Sequence, residues 1–179
     1  MKIVDDIKIK LGEKLLSREI KKSKISERKF SGFFRNAVDT LILLPEEDLY
    51  FRSAFDVARF VKIHKKNVTL ILPDHKRNLL PNNFEYQFIT VSPVSLSNLG
   101  LAAPSLIEDL KKKSYDIFID LTLNESSFYS SIALNTIAEI KIALFEKENS
   151  EKIFNLLFDA DKTNYENSCR NLLNSLQMF

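Results

Sequence analysis

Glu46, Glu47 and Asp48 follow an apolar run, residues 40–44 (TLILL), and Pro45. Three carboxylates at such a place could supply a general base or hold a cation. They could equally be the favourable charges of a helix N-terminus, where the peptide dipole attracts anions. A second polar group closes the apolar run 115–121: Asp120, Thr122, Asn124, Glu125, Ser126 and Ser127. Asp120 could act there as a ligand or a base. Alternatively, Asn124 or Ser126 caps the next helix, and Asp120 bonds to backbone N–H groups. Glu46, Glu47, Asp120, Asn124 and Ser126 are therefore the candidate ligand-binding residues, and no residue is assigned a catalytic role.

Several chemistries are argued against. The chain has only three glycines and contains neither GxGxxG nor GxxxxGK[ST]. A phosphate loop needs glycines so that backbone N–H groups can approach the anion. Acids stand where such a loop would follow the first strand, so the chain is expected to bind no nucleotide or nucleotide sugar and to need no cofactor. His64 ends a helical stretch and His75 lies in a loop, with no HExxH spacing, so no metal site is expected. The single cysteine, Cys169, excludes a disulfide framework. It reads as a packed thiol.

These residues need elements to position them. With 179 residues, 45% of them hydrophobic, the chain suits one domain with a sizeable core. No apolar run approaches the roughly 18 residues of a membrane span. The start is interrupted by charge and does not read as a signal peptide, so a cytoplasmic location is expected.

Charge is uneven. Residues 1–29 hold ten basic and five acidic side chains, an excess of five, whereas the rest of the chain is mildly acidic. In this arm Val4, Ile7, Leu11, Leu15, Leu16 and Ile20 recur at helical spacing. Asp5 and Asp6 stand at its start and Lys21, Lys22 and Lys24 near its end, which suits a helix dipole. A basic amphipathic helix can dock in a protein groove, on RNA or on an anionic membrane, or simply pack on its own domain. Leu11, Lys14, Leu15, Arg18, Lys21 and Lys22 are its candidate partner-binding residues. Phe30, Phe33 and Phe34 then form an aromatic anchor, so the arm is taken as 1–36 and the body as 37–179.

The body alternates strand and helix. Strands are expected at 40–44, 68–72, 86–91, 115–121, 141–145 and 154–158. Helices are expected at 46–64, 104–113, 126–138 and 164–176, with a loop at 73–83 and an irregular stretch at 95–103. Strands separated by helices imply parallel βαβ units and a three-layer α/β Rossmann-like sandwich with a mostly parallel sheet. Leu43, Leu70, Ile71, Ile117, Ile119 and Ile142 should form the sheet core.

The segments 67–71 (NVTLI), 115–121 (YDIFIDL) and 141–144 (KIAL) resemble the N-terminal half of GT-B glycosyltransferases, in particular the lipopolysaccharide heptosyltransferases of glycosyltransferase family 9. That family has a Gly-Asp pair after its first strand, the Asp being its base; Pro45, Glu46 and Glu47 stand there in this chain. The resemblance implies half an enzyme that needs a second domain from a partner. A second resemblance spans nearly the whole chain. The basic helix, the stretch 97–104 (SNLGLAAP), 115–124 and 138–142 are similar to a family of small bacterial proteins of unknown function. Its Asp-Leu-Asn-x-x-Gly-x-Pro motif keeps here its Leu, Gly and Pro. Taken together, the sequence reads as a non-catalytic binding or scaffold protein that engages a protein partner or a second copy through its N-terminal helix. A heptosyltransferase-like half-enzyme and a small-ligand sensor are the alternatives.

Overall fold

Six apolar segments pair edge to edge in the computed structural model, which describes residues 2–25, 30–64, 66–81, 85–158, 161 and 163–179. They are β1 (Asp39–Leu43), β2 (Asn67–Pro73), β3 (Gln87–Val91), β4 (Tyr115–Asp120), β5 (Ala138–Ala143) and β6 (Leu156–Leu157). The order across the sheet is β3-β2-β1-β4-β5-β6, and every pair is parallel. Ile42 of β1 stands level with Leu70 of β2 and Ile119 of β4. Parallel strands need long crossovers, and these cover both faces with helices, which is why the central strands are apolar throughout.

The helices are α1 (Lys2–Lys22), α2 (Phe33–Asn36), α3 (Asp48–Ile63), α4 (Pro104–Lys111), α5 (Ser127–Asn135) and α6 (Tyr165–Met178). On one face α3 and α6 bury Ala54, Val57, Val61, Leu172 and Leu176 against Ile42, Leu70 and Ile119. On the other, α1, α4 and α5 bury Leu16, Leu110 and Ile132 against Leu41, Leu43 and Phe118. The result is the three-layer α/β sandwich expected, and all six core residues named from the sequence are buried. The aromatic anchor is real: Phe34 stacks on Phe60 of α3, and Phe33 meets Phe179 at the end of the chain. Among the described residues, no helix is long and apolar enough to cross a membrane.

Some expectations are corrected. The loop expected at 73–83 contains a 3-10 helix, Asp74–Leu79. It folds because Lys76 is driven inward to pair with Asp48 at 2.8 Å over the Phe51 ring. The helix expected at 126–138 stops at Asn135, because Thr136 turns extended and its hydroxyl bonds back to the Ile132 carbonyl at 2.9 Å. The next strand therefore begins at Ala138, not Lys141, and ends at Ala143. The stretch 95–103 is not irregular throughout: Leu96 and Ala102 form an antiparallel bridge. Residues 26–29 of the basic stretch, Lys65, residues 82–84 of the expected loop, residues 159, 160 and 162, Met1 and the side chains of residues 2–5, Val4 and Asp5 included, lie outside the described residues.

The largest correction concerns α1. Its apolar positions are not one stripe but two rows. Residues four apart on a helix are offset by only about 40°. Gly12, Leu16 and Ile20 form the row that is buried against the body, while Ile7, Leu11 and Leu15 form another that is exposed. The buried row fits because position 12 carries no side chain: a Cβ there would collide with the Leu99 carbonyl oxygen. Gly100 beside it has φ +72°, a left-handed conformation that favours glycine, and it faces Ile9. The loop bearing Leu99 and Gly100 is itself held by Ser97, whose hydroxyl accepts from the Leu99 and Leu101 N–H groups. The Ala102 N–H then donates to Ser131 of α5 at 2.8 Å.

Ile119 is fully buried at the centre of the sheet. Ile119→Ala should cost about 2–5 kcal/mol, as large-to-small changes in close-packed cores do. Urea denaturation checks this, and an unchanged midpoint would contradict the placement of β4.

Candidate functional site at the carboxyl ends of the strands

The strand order reverses direction between β1 and β4. The helix after β1 packs on one face of the sheet and the helix after β4 on the other. A crevice necessarily opens between the two departing chains, and it is where open α/β sheets take ligands. Both polar groups singled out in the sequence are at this end. Pro45, Glu46 and Glu47 leave β1, and residues 121–126 leave β4. The Asn124 side-chain amide donates to Glu47 Oε1 and ties one rim to the other.

Asp120 has a different task from the other four. Its Oδ1 accepts from the Thr122 N–H at 2.8 Å and from the Thr122 hydroxyl at 2.7 Å. Its Oδ2 accepts from Lys147 Nζ at 2.7 Å, and the same amine donates to Thr122 Oγ1 at 2.6 Å. The Asp120 and Lys147 side chains are 2% and 5% exposed, so the pair is shielded from water. The carboxylate is taken up by this network, which fixes the turn out of β4. Sequence reading missed Lys147. The available signal was the aspartate itself, since a charge in an apolar strand needs a partner. The capping alternative is half right: Asp120 does bond a backbone N–H, but the Ser126 hydroxyl makes no cap bond on α5, and Asn124 reaches Glu47 instead.

The crevice holds a cavity of about 420 Å³. Its apolar lining includes Leu43, Ile71, Val91 and Phe128, and its polar groups are Glu46, His75, Ser92, Ser126 and Tyr129. Tyr129 and Glu46 both line it, and the Glu46 charge acts on the Tyr129 phenol. Burial, then the charges of Glu46, Glu47 and Asp120, push the Tyr129 pKa up, so the phenol keeps its proton. Thus Glu46 and Ser126 line the cavity, Glu47 and Asn124 bridge its rim, and Asp120 is locked away. Tyr129, His75 and Ser92 were not found from the sequence, because only the folded sheet brings β3, the 3-10 turn and α5 together.

The neighbouring Asp48 belongs to the structure of α3. The hydrogen bond and charge of Lys76 hold its carboxyl below the usual range. Cys169 is buried on α6, and burial pushes its thiol up to about 12. His64 ends α3, with Nδ1 at 2.9 Å from the Phe60 carbonyl. Among the described residues, no three His, Cys, Asp or Glu side chains are grouped to hold a metal ion. Lys14, Arg18, Lys21 and Lys22 are all exposed on α1, beside exposed Leu11 and Leu15.

Removing one member of a buried ion pair strands the other charge, which costs about 3–5 kcal/mol, whereas an apolar replacement of both is often neutral. Lys147→Met alone should therefore lower stability strongly, and Lys147→Met with Asp120→Leu should recover most of the loss. Denaturation midpoints of the two variants decide it. A single variant as stable as the wild type would contradict the network.

No curated protein and no solved structure matches the chain. A family model does, the Family of unknown function (DUF6913), over residues 8–179. That match takes in most of α1 together with every strand and helix after it, so the chain belongs to this family of unknown function.

Proposed function

We propose that the protein is a non-catalytic binding or scaffold protein that docks a protein partner on the outer face of α1. One observation carries the reading. Ile7, Leu11 and Leu15 are 62%, 50% and 38% exposed in a single row, although the helix that bears them is already anchored by Leu16 and Ile20. A helix that needed its apolar residues only for its own domain would turn them all inward. Three large apolar side chains in a row, rimmed by Lys14, Arg18 and Lys22, have the i, i+4, i+8 form of a helix that seats in a groove. A second copy of the chain is one partner of this kind.

The reading of the protein as half of a two-domain glycosyltransferase is supported by the strand order, which is that of a dinucleotide-binding sheet. The crevice weighs against it, since Glu46 and Glu47 stand where a nucleotide phosphate would need donors.

The two kinds of surface on α1 separate by mutation. Leu11→Asp with Leu15→Asp should abolish association with the partner. Reversing the charge of Lys14, Arg18, Lys21 and Lys22 should leave most of it, and moderate salt should matter little. The check is affinity capture alongside sedimentation, with RNA and phosphatidylserine vesicles as further arms. Binding to RNA or vesicles that weakens with salt, disappears on charge reversal and survives the Leu→Asp pair would overturn the reading.

A further inference from the structure

The crevice has a chemistry of its own, independent of the outer face of α1. At about 420 Å³ it falls in the range of small-molecule sites. Leu43, Ile71, Val91 and Phe128 give it an apolar floor. Among the described residues that line it, Glu46 is the one carboxylate and no lysine or arginine is present. Glu46 is exposed, and among the described residues no lysine or arginine forms a salt bridge with it or with Glu47. The Tyr129 hydroxyl also lines the cavity and can accept through its lone pairs. In the 3-10 turn that brings His75 to the cavity, Lys76 is engaged by Asp48 at 2.8 Å and Arg77 lies over the Phe88 ring. A ligand anion would meet the Glu46 carboxylate, with His75 and the hydroxyls of Ser92, Ser126 and Tyr129 as side-chain donors.

We propose that this crevice binds a small organic ammonium ion, a primary amine on an alkyl or aryl body, with its charged end at Glu46 and Tyr129 and its body along Leu43, Ile71, Val91 and Phe128. An ammonium supplies three N–H donors and a positive charge, which match the Glu46 carboxylate and the lone pairs of the Tyr129 phenol. The apolar body gives affinity through burial, and the charge selects the class. Ser92 and Ser126 lie on opposite sides of the cavity, one after β3 and one before α5, and remain for polar substituents on the ligand.

The test is an amide-resolved NMR titration of the full chain with three probes of one shape: phenethylamine, phenethyl alcohol and hydrocinnamate. Phenethylamine should give saturable shifts at Glu46, Val91 and Tyr129, and it should bind about tenfold more tightly than the alcohol, the worth of one charge-assisted hydrogen bond. Glu46→Gln should weaken the amine by a similar factor and leave the alcohol unchanged, which also shows that the cavity is intact. The comparison of probes on the wild-type chain stands without any variant. Hydrocinnamate binding as tightly as the amine, an amine affinity indifferent to Glu46→Gln, or shifts that never saturate would overturn the proposal. The Leu11→Asp and Leu15→Asp pair should not alter the titration, so failure here and failure of the partner reading are distinguishable.

Discussion

A parallel sheet cannot leave either face to water, and that constraint organises this molecule. One face is covered by the two long helices α3 and α6. The other has α4 and α5, of eight and nine residues, which are short for the task. Leu16 and Ile20 of α1 complete that layer. The N-terminal helix is therefore part of the sandwich. Its close approach depends on Gly12, because any side chain at that position would strike the Leu99 carbonyl. With the inner row fixed in this way, helical geometry leaves Ile7, Leu11 and Leu15 on the outside. A residue without a side chain thus sets which face of the helix stays exposed.

Most of the fold was legible in the sequence, for physical reasons that particular segments show. Residues 40–44 and 68–72 are mostly apolar runs closed by proline, as a doubly covered strand requires. The errors came where one element hands over to the next. Thr136 ends α5 by bonding its own helix, and nothing in its neighbours announces that. The 3-10 turn at 74–79 rests on Lys76 reaching Asp48, a contact between residues 28 apart in the chain. The two rows of α1 share one periodicity, so spacing alone could not say which would be buried; Gly12, a weak helix former by type, was the indicator.

The candidate site was legible in part. Glu46, Glu47, Asn124 and Ser126 converge because all follow strand ends that the topology brings together. Asp120 was drawn in by the same rule but is consumed by Lys147 and Thr122. That network ties down the turn at the β4 side of the crevice, and the polar groups left to line the cavity are Glu46, His75, Ser92, Ser126 and Tyr129. Membership in a family of unknown function places no activity on these residues. Two surfaces with different chemistry remain, an apolar row on α1 and a crevice at the strand ends with one carboxylate, Glu46, in its lining.

The central claim is that α1 is held to the sheet by its inner row, with the outer row free. Native-state hydrogen exchange of the wild type and of Gly12→Val tests it most directly. Most helical stability in proteins comes from packing one face against the body, so strong protection in α1 reports its docking. The account predicts strong protection at Leu16 and Ile20 in the wild type, lost in the variant, while Leu41, Ile71 and Phe118 stay protected in both. Amides of α1 that exchange freely in the wild type, or that are equally protected in the variant, would contradict it.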